Sequence, residues 1–142
     1  MSFSTLSDEE LHLYSRQILL ESWDLDAQQE LKTKKVLIIG AGGIGCTLAE
    51  ILARAGVGHL YLVDFDTIET SNLQRQIAFK PKDVGRFKVQ VLAERLIEIN
   101  PYINVTSISE KFDDHLINTW QQHDFDLVLD GCDNFATRYA VN

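Results

Sequence analysis

The feature that most constrains this chain is a strand-length apolar run at residues 35–39 that passes directly into Gly40-Ala41-Gly42-Gly43-Ile44-Gly45 and then into an amphipathic stretch ending at Ala55. A strand, a G-x-G-x-x-G turn and a helix in that order form the phosphate-binding corner of a doubly wound α/β sheet. Glycine permits the tight turn and lets backbone amides approach a phosphate, and the helix N-terminus adds partial positive charge. Asp64, at the tip of the next expected strand, stands where a carboxylate accepts a ribose hydroxyl.

The remaining sequence repeats that alternation. Short apolar runs predict strands at 35–39, 59–64, 103–109 and 125–130, separated by helices at 44–55, 84–99 and 113–121. The expected architecture is a Rossmann-like, mostly parallel sheet of order 3-2-1-4, with residues 35–142 as its front part and residues 1–34 as a helical arm. In the arm, Ser7-Asp8-Glu9-Glu10 reads as a capping box opening a helix over 8–20, with Leu11, Tyr14, Ile18 and Leu13 as its apolar face, and Asp24 precedes a second, shorter helix. Strand four would be an unprotected apolar edge, and residues 134–142 read as the opening of a further helix without a stop signal. The expectation is therefore the front half of a longer domain.

With 21 acidic against 13 basic residues and a net charge of -8, broad binding to nucleic acid is not expected. Neither a signal peptide nor an apolar stretch of membrane-spanning length is visible, so the expected location is cytoplasmic. Cys46 and Cys132 form no CxxC pair. Cys46 reads as a packing residue, and Cys132 lacks a neighbouring histidine or lysine to activate it.

The glycines alone do not separate an NAD enzyme from an ATP enzyme. Ser71-Asn72-Leu73-Gln74-Arg75-Gln76 and Lys88 favour the second. A dinucleotide oxidoreductase leaves its pyrophosphate intact, whereas a departing pyrophosphate requires cations such as Arg75, Lys88 and Mg2+. Asp133 is the candidate carboxylate for that metal, and a helix N-cap is its alternative role; Asp130 could orient the same loop. The four histidines fall in no motif.

Taken in order, Arg16-Gln17-Ile18-Leu19-Leu20, the glycine loop, Ala55-Gly56-Val57-Gly58, Asp64-Phe65-Asp66, Ser71 to Gln76, Gly85 with Lys88, Ile99-Asn100-Pro101, and Asp133-Asn134 with Thr137-Arg138 make the chain similar to the ThiF and MoeB family of adenylyltransferases, bacterial relatives of ubiquitin-activating enzymes. The resemblance implies ATP-dependent adenylation of the C-terminal glycine carboxylate of a small ubiquitin-like sulfur-carrier protein ending in Gly-Gly, in molybdopterin or thiamin biosynthesis. The nucleotide-binding set it implies is Gly40, Gly42, Gly43, Gly45, Asp64, Asp66, Ser71, Asn72, Leu73, Gln74, Arg75 and Lys88. Its catalytic set is Arg16, Arg75, Lys88 and Asp133, with Asp133 holding Mg2+ and Arg16 reaching the site of a neighbouring subunit in a homodimer. Zinc, where family members carry it, belongs to a portion absent from these residues. An NAD-dependent oxidoreductase and a noncatalytic dimerisation module are the alternatives.

Overall fold

The structure, a computed structural model, describes residues 5–120 and 123–132. Four strands, β1 (Lys35–Ile39), β2 (His59–Val63), β3 (Asn104–Ile108) and β4 (Leu127–Asp130), form one sheet of order β3-β2-β1-β4, all neighbours parallel. The order and β1 are as expected; the other three strands lie within the expected bounds and are shorter.

Alternation along β1 divides the core. Val36 and Ile38 face one side, where α4 (Gly43–Ala55) and α5 (Lys88–Ile99) contribute Ala49, Ala53, Val89, Leu92 and Leu96. Leu37 and Ile39 face the other, packed with Val63, Phe112 and Leu116, the last from α6 (Asp114–Trp120). Ile39 lies level with Val63 on one flank and Asp130 on the other, so three strands end together. β4 exposes Leu127 and Val128 and, among the described residues, pairs only with β1.

The helix expected over 8–20 is broken. α1 (Asp8–Leu13) ends at Tyr14, whose backbone leaves helical geometry, and α2 (Ser15–Ile18) is a single turn. The cause is tertiary: Tyr14 is 2% exposed, with its hydroxyl accepting from Asn100 Nδ2 at 2.7 Å. Leu13, expected on the apolar face, is exposed. The capping box is present, with Ser7 Oγ accepting from Glu10 N and Glu10 Oε2 from Ser7 N. The arm's last helix, α3 (Leu25–Leu31), is capped by Asp24.

The helix expected from residue 84 begins instead at Lys88. Gly85 has φ +90, and residues 66–68 pair with 85–88 through Ile68 N to Arg86 O, Gly85 N to Ile68 O and Lys88 N to Asp66 O. Those backbone bonds replace a first helical turn, and Val84 is consequently exposed. Of Asp113 and Asp114, either of which could cap α6 by residue type, Asp113 does so, accepting from Leu116 N. Its expected end at residue 121, the further helix over 134–142 and Asp133 lie outside the described residues.

Candidate active site

Three chain turns meet where β1, β2 and β4 end. Gly40, at φ +97, donates its N–H to Val63 O at 2.8 Å, and a Cβ there would stand 2.6 Å from Gly131 O. A Cβ on Gly45 would lie 1.9 Å from Gly40 O. These glycines are demanded by backbone packed on backbone. Gly42 and Gly43 differ: hypothetical Cβ atoms there meet nothing nearer than Gln76 Nε2 at 3.7 Å and Arg75 O at 3.9 Å. At the N-terminus of α4 these two positions thus leave room for a side-chain atom before van der Waals contact with the 71–76 segment is reached. Gly42, its N-cap, supplies no capping side chain.

Asp64 ties the loop to β2. Its Oδ2 accepts from Ala41 N at 2.7 Å and its Oδ1 from Asp66 N at 2.9 Å. Each oxygen retains a further lone pair for a ligand. Lys88, the first residue of α5, is 6% exposed, with Nζ 3.8 Å from Asp66 Oδ2. A lysine is seldom this buried unless paired.

The 71–76 segment is a short helical turn. Asn72 is buried and its Oδ1 accepts from Glu69 N at 2.8 Å, while Asn72 O accepts from Gln76 N. Leu73 packs against the core. Ser71 and Gln74 are exposed, as is Arg75, whose Nη1 donates to Ser71 O at 3.1 Å. Gln76 is 3% exposed, and its Oε1 is buried without a hydrogen-bond partner.

The two cysteines are not equivalent. Burial pushes the Cys46 thiol up to about 12, and its Sγ donates to Ala41 O, which fits packing rather than nucleophilic chemistry. Asp130 Oδ1 accepts from Cys132 N at 2.9 Å, in keeping with a loop-orienting carboxylate. Among the described residues no group of three His, Cys, Asp or Glu side chains could hold a metal.

The expected loop glycines, Asp64, Asp66, Lys88 and the 71–76 segment are brought together. Arg16 is not: its neighbours Tyr14 and Gln17 touch the opposite end of α4, where Gln17 Nε2 donates to Ala55 O at 2.9 Å. Sequence reasoning gave Gly131 no place in the site, and read Gln76 only as the end of the 71–76 run without a role of its own. Gly131 had no signal beyond its place after a strand, and the burial of Gln76 depends on tertiary packing.

Residues 14–142 match the ThiF family. The chain belongs to the ThiF family. This ThiF-family chain is 46% identical over 138 residues to the molybdopterin-synthase adenylyltransferase of Escherichia coli (strain K12), covering 96% of this chain and 55% of that protein. It is 44% identical over 137 residues to the sulfur carrier protein ThiS adenylyltransferase of the same organism, with 96% and 54% covered. In structure it is similar to the E. coli tRNA N6-threonylcarbamoyladenosine dehydratase TcdA in complex with ATP, at a TM-score of 0.88 and 29% identity, over 95% of this chain and 55% of that one. The chain spans about half the length of the curated relatives it matches. No helix among the described residues is long and apolar enough to cross a membrane.

Proposed function

We propose that the protein to which these residues belong binds ATP at the open N-terminal end of α4 and adenylates the C-terminal glycine carboxylate of a small ubiquitin-like sulfur carrier, releasing pyrophosphate. The observation that carries this reading is the room left at Gly42 and Gly43, where an added Cβ would reach only van der Waals distance from Gln76 and Arg75, with buried Lys88 beside Asp66 close by. Relatives named as adenylyltransferases and an ATP-bound structural neighbour support it.

The chemistry asks little of the side chains. A terminal carboxylate is ionised at neutral pH, so an oxygen attacks the α-phosphorus without a general base, the bond to the bridging oxygen breaks, and pyrophosphate leaves with the electron pair. Backbone amides at the start of α4 bind phosphate oxygens, and Arg75 and Lys88 offset the charge that develops on the leaving group. Asn72 offers its Nδ2 to a phosphate, since its Oδ1 is already occupied. Asp64 accepts the ribose hydroxyl on its remaining lone pairs. Asp133 would hold Mg2+, which neutralises phosphate charge when bound.

Arg16 enters from a second subunit. α4 has 13 residues, about 20 Å at the helical rise, and the arm that carries Arg16 is fixed to its far end. The assembly this reading requires is a homodimer. One relative is named for molybdopterin synthase and another for the sulfur carrier protein ThiS, and a sulfur carrier of molybdopterin or thiamin biosynthesis is the substrate class of this proposal. The test is exchange of labelled pyrophosphate into ATP by the intact protein: exchange that depends on a carrier ending in Gly-Gly is expected, and its absence with every such carrier overturns the proposal.

A further inference from the structure

α2, the element bearing Arg16, is a four-residue turn, too short to hold an orientation by itself. What fixes it is the residue beside Arg16. Both hydrogens of the Gln17 amide are engaged, one with Gln28 Oε1 at 3.0 Å and one with Ala55 O at 2.9 Å. Gln28 is fully buried; its Nε2 also donates to Ala55 O, at 2.8 Å, and its Oε1 accepts from Trp23 Nε1 at 2.9 Å. Ala55 O is one of the carbonyls that the end of a helix leaves unbonded. On the outward side, Arg16 is exposed with Leu19 and Leu20, three and four residues on.

We infer that Gln17 is a positioning residue for the reaction of the opposite subunit: by docking its amide on the C-terminus of α4 it aims Arg16 away from its own subunit and into the partner's triphosphate site. This rests on the reading that Arg16 acts in trans. The pyrophosphate leaves through charge neutralisation, so a misaimed guanidinium slows turnover without altering the site it serves.

Hybrids of two differently tagged subunits of the intact protein test it. One subunit, carrying Lys88→Ala, is a silent donor of its arm; the other keeps the working site. Carrier-dependent pyrophosphate exchange is measured with Gln17→Met, which keeps length and apolar bulk but removes both donors, placed on either subunit. On the silent donor it is expected to lower kcat roughly 10- to 100-fold, and on the working subunit to leave kcat within about twofold. A purely structural role moves both placements alike or neither, and either result overturns the inference. Arg16→Ala on the silent donor is the control: if it slows the working site while Gln17→Met does not, the inference alone fails, and if it has no effect, the trans reading fails with it.

Discussion

The two ends of α4 are built to opposite purposes. At its C-terminus the glycines and carbonyls are closely packed: Gly56, at φ +97, lies where a Cβ would meet Tyr14 and Gln28 at 2.7 Å; a Cβ on Gly58 would stand 1.6 Å from Lys32 O; and Ala53 O and Ala55 O accept from Asn100, Gln17 and Gln28. At its N-terminus, Cβ atoms on Gly42 and Gly43 would come no nearer than van der Waals distance to Gln76 and Arg75, at 3.7 and 3.9 Å. The same residue type therefore has two meanings on one helix. Glycines at the closed end are required by the fold, whereas Gly42 and Gly43 at the open end, unlike Gly40 and Gly45 beside them, leave room for a side-chain atom.

Substitutions at the closed end should damage folding, and those at the open end should damage ligand binding. Gly58→Ala forces a methyl into the Lys32 carbonyl and is expected to cost about 4 kcal/mol or more, read as loss of soluble protein or a collapsed thermal midpoint; a midpoint near wild type would break the contrast. Lys88→Ala at the open end is expected to lower kcat roughly 100- to 1,000-fold with the fold retained, because its partner Asp66 is half-exposed to solvent. A large loss of stability with little loss of exchange activity would reverse its assignment.

Gln28→Ala withdraws a donor from Ala55 O and leaves the Trp23 N–H and one Gln17 N–H unpaired. The expected cost is about 1–3 kcal/mol by denaturant unfolding, with ATP affinity of the folded protein unchanged. The smallest effect concerns Glu10, also in the arm. Burial pushes its carboxyl up, but the Lys32 ammonium at 2.8 Å and the Ser7 N–H outweigh that and hold it below the usual carboxylate range. A depressed folded value gives stability that is present above the unfolded value of about 4.3 and is lost as pH falls through the folded one. Glu10→Gln should lower stability at pH 7 by about 1 kcal/mol and flatten the acid limb of the stability curve; an unchanged limb would remove Glu10 from the closed end's account.

Much of this contrast is legible in the sequence, because it rests on local rules. The strand, glycine loop and helix of β1 and α4 follow from periodicity and from glycine chemistry, and the order 3-2-1-4 follows from alternating strands and helices. Three features are not legible. The break at Tyr14 exists because its ring is drawn onto Gly56 and Asn100, residues distant in sequence. The late start of α5 exists because residues 85–88 bond to 66–68 instead of to themselves. The placement of Arg16 at the far end of α4 depends on Gln17 and Gln28 finding Ala55 O. Each is a tertiary contact overriding a local preference, and no local pattern signals it.

The most direct test of the open end compares the wild type with Gly43→Ala in thermal unfolding, alone, with magnesium-ATP and with NADH. Alanine at this helical position meets nothing nearer than 3.9 Å, so the unliganded midpoint should hold or rise, by up to about 1 kcal/mol in stability. Magnesium-ATP at a hundredfold excess over Kd should add about 2.7 kcal/mol to the wild type and far less to the variant, with NADH without effect on either. An ATP shift undiminished in Gly43→Ala, or a shift with NADH alone, would contradict the account.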